Sequence, residues 1–323
     1  MAKRSVLGFD IGGTKTLCLL VDDAYRIVHS IKFQTAPSEG KAAFVKRFDA
    51  ATRDLVTRAR KLKLEMVGAG VAVAGQIEFH KKIIKKTPNV VFLEGLNVAR
   101  TLQKSAHLDC VLGNDVQLAL YGEYHLGHAQ GFDTVLGVFF GTGVGGAALI
   151  GGRVFRGGTG LGGNVGATLT HAIGGGGMAE SHGMLNNIAS KAAIVGAALS
   201  MGVKQWAPHL YKEVGTDISK VTWGALARAR KAGDQQIDDL LRARMRTAGS
   251  TLASIVNFLN PQLLLLGGGL TEELPRLIVS EVETGLREFL VPEIARALKV
   301  KAAMLGNRAG ALGAARLAFK KLG

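Results

Sequence analysis

The sequence predicts an α/β protein assembled from two similar lobes, and three observations carry that expectation. "VLGFDIGGTKTLCLLV" (6–21) sets a glycine turn between two apolar runs, and "YRIVHSIKF" (25–33) follows as a third. About 130 residues later the same order returns as "TVLGVFF" (134–140), "GTGVGG" (141–146), "AALI", a Gly pair and "RVF" (153–155). Between and after these stretches helical and strand patterns alternate, as they do where sheets are covered by helices.

In each repeat a strand, a glycine turn and a second strand make a meander. A dinucleotide-binding fold would open a helix directly after its glycines, and the Walker spacing GxxxxGK[ST] is absent. A helix is expected around 41–63, a strand at "MVGAGVAVA" (66–74), and a second helix around 97–106. The strand "CVLG" (110–113) and an apolar-periodic helix after Asn114-Asp115 come next. "HKKIIKK" (80–86) alternates charged and apolar residues as a solvated hairpin would. Residues 178–258 read as helical with little strand character, and the stretch from Ile255 to Leu290 as helix, strand, glycine turn and helix. "AGALGAARLAFKKL" (309–322) is an amphipathic helix with a basic end, as suits a helix C-terminus. No Pro- or Ser-rich linker appears, so tight hinges are expected. The lobes are set at 1–115 and 116–308, with the last helix packing back on the first lobe and one glycine turn from each lobe at a shared cleft.

The 323 residues, 47% hydrophobic and 20% charged, suffice for one large core or two ordinary ones. The 44 glycines gather in short groups after apolar runs, which marks turns beside ligands and not flexible linkers. Aromatic residues make up 6%, too few for the stacking platforms that bind single-stranded nucleic acid. The formal charge of +15 suits anionic small molecules, and the lysines and arginines are spread along the chain, so no nucleic-acid partner is expected. Cys18 and Cys110 each sit in an apolar run without CxxC or metal-ligand spacing, which predicts buried free thiols. No signal peptide opens the chain and no apolar run reaches a membrane span, so a cytoplasmic protein without a membrane partner is expected.

The first turn brings together Asp10, Gly12, Gly13, Thr14 and Lys15. Glycine lets backbone N–H groups approach an anion, Thr and Lys add a hydroxyl and an ammonium, and Asp10 is placed to hold Mg²⁺ through its water shell. An ordinary hairpin could use the same residues; the echo at Gly141, Thr142 and Gly143 favours phosphate. Asn114-Asp115 precedes a helix, where either residue could cap it, and an Asp at a strand's end can also accept a hydroxyl proton. The roles are compatible if Asn114 caps and Asp115 works as the base. Gly267, Gly268 and Gly269 end the strand in "LNPQLLLLGGGL" (259–270), either as a flat surface for a purine and ribose or as a tight strand-to-helix turn.

Together "FDIGGTKT", "TPN" (87–89), "NDVQLALYGE", "FFGTGVGGAALIGGRVFRG", "LNPQLLLLGGG" and "LGNRAGALGAARLA" resemble the ROK family of bacterial sugar kinases. The likeness runs in order from about residue 6 to 320. It implies an actin-like ATPase fold (hexokinase/ribonuclease H-like), ATP with Mg²⁺ as donor, a sugar as small-molecule partner and a homodimer. It puts the base on Asp115, the phosphate loops on Gly12 to Lys15 and Gly141 to Gly143, and sugar contacts on Asn114, Asp115, Asn89 and the Gly75 turn. The family also includes repressors with an N-terminal winged helix. This chain opens at the phosphate strand, so neither that module nor direct DNA regulation is expected.

The resemblance breaks at two places. The family pattern GEIGH aligns with "GNVGA" (163–167), where the Glu that contacts sugar hydroxyls becomes Asn164 and the His that touches sugar and zinc becomes Ala167. The pattern CxCGxxGCxE aligns with "HAIGGGGMAE" (171–180), where Gly174, Gly177 and Glu180 match but His171, Ile173 and Met178 replace the three cysteines. A structural zinc needs about four close ligands, so none is expected; Asn164 and Glu180 stay as candidate sugar contacts. A carboxylate accepting from vicinal hydroxyls makes charge-assisted bonds worth roughly 1.5–3 kcal/mol, and a neutral amide gives less. The expectation is a glucokinase-like, ATP-dependent sugar kinase with shifted or weakened glucose recognition. The alternative is a catalytically weak sugar or nucleotide sensor of the same family.

Overall fold

The computed structural model describes residues 3–78, 81–87, 90–170 and 183–323. The chain opens with the meander β1 (Arg4–Ile11), β2 (Lys15–Asp22) and β3 (Ile27–Gln34), followed by α1 (Gly40–Lys61) and β4 (Glu65–Val73). A two-stranded ribbon, β5 (Gln76–Glu78) and β6 (Ile83–Lys86), leads to α2 (Val98–Ala106), β7 (Cys110–Asn114) and α3 (Asp115–Leu126). The second meander is β8 (Val135–Phe140), β9 (Val144–Ile150) and β10 (Arg153–Val154). Helices α4 (Asn186–Ala189), α5 (Lys191–Val203), α6 (Pro208–Val214), α7 (Trp223–Ala232) and α8 (Gln235–Leu259) then precede β11 (Leu263–Gly267). The chain closes with α9 (Gly269–Glu273), α10 (Pro275–Arg287), α11 (Pro292–Ala297), β12 (Lys299–Ala302) and α12 (Ala309–Leu322).

The two five-stranded sheets share one plan. The first runs β3-β2-β1-β4-β7, with antiparallel pairs on either side of β2 and with β1, β4 and β7 parallel. The second runs β10-β9-β8-β11-β12, antiparallel around β9 and parallel through β8, β11 and β12. The duplication read from the glycine turns therefore extends strand for strand. Parallel neighbours need long crossovers, and the helices between them supply these.

The period of two along a strand decides what each sheet face meets. In the first unit Leu7, Phe9 and Ile11 of β1 point with Val71 and Val73 of β4 into a core closed by Phe44, Phe48 and Leu55 of α1. The Phe9 and Phe48 rings stand 4.7 Å apart. Fully burying such a side chain contributes roughly 1.5–3 kcal/mol. The alternate residues, Gly8, Asp10, Gly70 and Ala72, form the other face, and they are small apart from Asp10. Helix α12 lies on that face almost backbone to backbone. A Cβ added at Gly8 would stand 2.3 Å from the Ala311 carbonyl oxygen, and one at Gly70 only 1.9 Å from that of Ala314. On its flank α12 meets α3 as closely, for a Cβ at Gly313 would lie 1.8 Å from the Leu118 carbonyl oxygen. In the second unit β11 is wholly buried, and α8 and α10 pack against each other through Gly249 and Gly285.

Several expectations need correction. The first unit continues through Gln130 and also takes in Arg156–Gly162 and Asn307–Gly323. The boundary set at Asp115 cut off α3, which belongs with α12. The ribbon around 80–86 is not simply solvated, since Ile77 and Ile84 on one of its faces join the core. The third strand begins at Ile27 and not Tyr25, because the Asp22 carboxylate accepts from the Ala24 and Arg26 N–H groups and holds a turn there. The helix after the last glycine turn is broken before Pro275, whose ring and missing N–H end α9. Strand β12 was missed altogether: Lys-Val-Lys-Ala is short, and its exposed lysines are a device that blunts a sheet edge. Cys18 and Cys110 are buried and unbonded as expected, and burial pushes the Cys110 thiol up to about 11. No helix among the described residues is long and apolar enough to cross a membrane.

If the backbone contact of α12 organises the first unit, Gly70→Ala lowers stability by about 1–3 kcal/mol, as overpacking does. Urea unfolding followed by circular dichroism reads the shift in midpoint. An unchanged midpoint would mean that α12 can move aside freely.

Candidate active site

In the first unit, strand register fixes one edge. Ile11, Val73 and Asn114 stand side by side at the carboxyl ends of β1, β4 and β7. The segments at that edge carry Asp10 and Gly12 to Lys15, then Gly75, then Asn114 and Asp115. In open α/β sheets, ligands bind outside the carboxyl ends of the strands.

Each segment is held by identifiable bonds. The Gly12 N–H donates to the Lys15 carbonyl at 3.1 Å and closes the first turn. One step beyond the Lys15–Gln34 pair of the ladder, the Thr35 N–H donates to the Thr14 carbonyl at 2.9 Å. The Thr35 hydroxyl donates to the Gly12 carbonyl at 2.7 Å, so one fully buried residue grips both sides of the turn. Gly75 has φ near +110°, and a Cβ there would lie 2.2 Å from the Lys86 carbonyl oxygen, so only glycine fits. Asn114 caps α3: its Oδ1 accepts from the Gln117 N–H at 3.1 Å while its Nδ2 donates to the Gly75 carbonyl at 3.3 Å. The division of labour read from the sequence is the one observed in this respect, with Asn114 as cap and Asp115 as the first helical residue.

The two carboxylates are electrostatically uncomfortable. Burial, and then the Asp115 carboxylate, push the Asp10 pKa up from 3.8 to about 7. Burial also raises Asp115, against the lowering effect of N–H groups in the first turn of α3 and of the Asn114 side chain. A Cβ added at Gly310 would stand 2.6 Å from Asp10 Oδ2, so the first turn of α12 closes directly over this carboxylate. The half-buried Asp10 carboxylate is an oxygen donor of the kind a hard divalent cation takes together with water and phosphate oxygens. Among the described residues no cluster of three His, Cys, Asp or Glu forms a self-sufficient metal cage. This donor set fits Mg²⁺ arriving with a nucleotide.

The second unit repeats the turn with a different support. The Gly141 N–H donates to the Gly143 carbonyl at 2.9 Å. Asn186 Oδ1 accepts from the Val144 N–H at 2.9 Å, and the Lys191 N–H at the start of α5 donates to the Gly141 carbonyl at 3.0 Å. Gly267 to Gly269 leave the neighbouring strand at the same edge, where Phe139 pairs with Gly267. Packing alone accounts for these glycines. Gly268 has φ near +88°, a Cβ there would sit 2.4 Å from the Phe140 carbonyl oxygen, and one at Gly269 would lie 2.8 Å from the Trp223 indole. Asn164 lies apart from both turns in sequence, exposed and opening the 3-10 turn Val165–Ala167 without capping it. Asn89, Glu180 and the replaced zinc positions His171, Ile173 and Met178 lie outside the described residues.

Sequence reading missed Thr35, Asn186 and Gln117. The Gln117 amide donates to the Gly160 carbonyl at 3.1 Å and, with Gln76 bonded to the Thr159 carbonyl at 3.2 Å, ties 156–162 to the first unit. No local motif marks Thr35 or Asn186, and the motif that contains Gln117 gives no sign of its role, because their partners are remote in sequence.

A family model described as "ROK family" matches residues 6–321. The chain belongs to the ROK family. A glucokinase of Halalkalibacterium halodurans is 25% identical over 317 residues, covering 97% of this chain and 94% of that protein. The crystal structure of a ROK family glucokinase from Streptomyces griseus, in complex with glucose and AMPPNP, superposes with a TM-score of 0.82 at 27% identity, covering 98% of this chain and 99% of that one. A ROK hexokinase from Thermus thermophilus gives a TM-score of 0.76 at 28% identity, with 98% of both chains covered. The fold is accordingly that of the actin-like ATPases.

The raised pKa of Asp10 has a stability consequence with a definite sign. The unfolded chain ionises near 3.8 and the folded one near 7, so between these values the folded state binds more protons and loses stability as pH rises. Asp10→Asn, free of nucleotide, is therefore expected to melt higher than the unsubstituted protein at pH 8, by a difference that shrinks toward pH 4. Paired thermal melts across that range check it; a substituted protein that melts lower at pH 8 contradicts it.

Proposed function

We propose that this chain is an ATP-dependent sugar kinase that phosphorylates a hydroxyl of a hexose or hexose derivative, with Asp115 as the general base. The observation that carries the reading is the placement of Asp115 at the carboxyl edge of the first sheet. There it is held by a capped helix, beside a braced glycine turn, with its proton affinity raised by burial. A carboxylate whose pKa moves toward neutrality is a better base for an alcohol than an ordinary one. The glucokinase and hexokinase names of the relatives support the same class.

In this mechanism Asn114, Gly75, Asn89, Asn164 and Glu180 contact the sugar and orient its hydroxyl, O6 in a hexose, toward Asp115. Asp115 takes the hydroxyl proton as the oxygen bonds to the γ-phosphorus and the bond to the β-phosphate oxygen breaks, releasing ADP. The turns Gly12 to Lys15 and Gly141 to Gly143 meet the phosphate charge with the N–H groups that their internal bonds leave over, with the hydroxyls of Thr14 and Thr142 and with the Lys15 ammonium. Gly267, Gly268 and Gly269 lie beside the adenosine, and Asp10 holds the cation through water. When bound, Mg²⁺ neutralises charge on the phosphate oxygens. Asn164 replaces a carboxylate acceptor, so recognition of unmodified glucose is weakened or shifted. A cytoplasmic homodimer without nucleic-acid or membrane partners belongs to the same reading.

The departures at Asn164 and Ala167 favour a second reading, a sugar or nucleotide sensor with little turnover. Coupled ADP release over hexoses, amino sugars and polyols separates the two. For the kinase, at least one acceptor turns over and Asp115→Asn lowers kcat by about 10²–10⁴-fold, the usual worth of a general base. Normal MgATP binding without turnover on any acceptor sinks the kinase. Sugar binding in calorimetry that forms no ADP and ignores Asp115→Asn establishes the sensor.

A further inference from the structure

We infer that Thr35 is a positioning residue for phosphoryl transfer: it draws the Gly12 and Thr14 carbonyls of the first glycine turn inward, so that the Gly13 and Thr14 N–H groups are left to meet a nucleotide phosphate. The inference rests on the kinase reading, since it assigns the turn a phosphate.

A glycine turn can bind an anion only if its N–H groups converge and its carbonyls point elsewhere, because a carbonyl oxygen facing a phosphate repels it. Glycine makes such a turn possible and leaves it floppy, with several conformations close in energy. Something must choose among them. In this turn the carbonyls of Gly12, Thr14 and Lys15 are all engaged within the protein, two of them by Thr35. The N–H groups of Gly13 and Thr14 have no hydrogen-bond partner among the described residues. The donors a phosphate needs are left over by the bonds that Thr35 makes.

Thr35 is itself held from three sides. Its hydroxyl lies 3.1 Å from that of Thr16, which can donate to it while the Thr35 proton goes to Gly12. Its carbonyl accepts from Arg47 Nη2 at 3.1 Å, and Arg47 is ion-paired with Glu39. The residue is fully buried, so it cannot touch a nucleotide and acts through the turn alone. Its place in the fold is defined by register: Lys15 pairs with Gln34, and Thr35 is the first residue past the ladder. The second turn is braced differently: the Lys191 N–H takes the Gly141 carbonyl, and the Asn186 amide oxygen accepts from the Val144 N–H. Two unrelated side chains thus brace two equivalent turns.

The test compares Thr35→Val, which keeps the β-branched shape and removes the hydroxyl, with Thr35→Ser, which keeps the hydroxyl. MgADP affinity by calorimetry and the KM for MgATP read the turn; sugar affinity without nucleotide and the melting temperature are read alongside. Thr35→Val is expected to weaken MgADP binding and raise the MgATP KM by about tenfold, the worth of one buried hydrogen bond. Sugar affinity should be unchanged, and Thr35→Ser should stay within about twofold of the parent. Thr35→Cys, near in size with a weak donor, serves if the Val variant does not fold, and should lose nucleotide affinity in the same direction. Nucleotide affinity unchanged in a folded Val or Cys variant overturns the inference. So does an equal loss of sugar and nucleotide affinity with a lower melting temperature, which marks a merely structural role. A parent protein that binds MgADP yet phosphorylates no sugar refutes the kinase instead, and the Val variant's MgADP affinity still decides the role of Thr35.

Discussion

The contact on which the first unit depends is the absence of side chains between α12 and what lies beneath it. Gly8 and Gly70 let the helix backbone reach β1 and β4, and Gly313 lets it reach α3. Nothing compressible lies between these elements, so the position of one dictates the others. Asp10 stands on the same face as Gly8, two residues along, and Asp115 opens the helix that α12 clasps. The carboxylates are therefore placed by the packing of their backbones, with the first turn of α12 closing over Asp10 itself. Their proximity opposes folding and is tolerated because the glycine contacts leave neither element room to withdraw. The elevated pKa of Asp10, raised first by burial and then by the Asp115 carboxylate, is the thermodynamic trace of that placement.

Duplication explains why the same solution appears twice with different parts. Each meander returns the chain at a glycine turn, and each turn sits at an edge where parallel strands end. The first turn spans four residues between Ile11 and Thr16; the second spans three between Phe140 and Val144. In the second unit one helical N–H, that of Lys191, takes the Gly141 carbonyl, while the Asn186 amide oxygen holds the Val144 N–H at the start of β9. What the repeat preserves is backbone polarity at the tip, while the side chains enforcing it are free to differ.

What the sequence disclosed follows from this. Backbone-level demands leave glycines, and glycines in a row after an apolar run are visible without a structure. The meanders, the turns, the strand of Gly, Ala and Val at 68–73 and the helix cap at Asn114 were all legible for that reason. Gly267 to Gly269 show the limit: their contacts with Phe139, Phe140 and Trp223 explain them as packing, and a ligand would leave the same three letters. Thr35 and Asn186 left no mark, and Gln117, though inside a quoted motif, gave no sign of its role, because the meaning of a polar side chain lies in a partner 20 or more residues away. Strand β12 was hidden for another reason: an edge strand of four residues carries too little alternation to stand out from a loop.

The same distinction bears on specificity. The first glycine turn is fixed by backbone hydrogen bonds. On the proposed function, acceptor recognition would fall to side chains at the ends of loops, which can be exchanged without moving the backbone. Asn164 opens a 3-10 turn whose Val165 and Gly166 are buried, and an added Cβ at Gly166 would lie 2.2 Å from the Val144 carbonyl oxygen. The turn is thus locked to β9 while the residue that opens it stands exposed and unconstrained. On the proposed function, a scaffold built this way would keep its glycine-written turns while the polar side chains at its loop ends are exchanged.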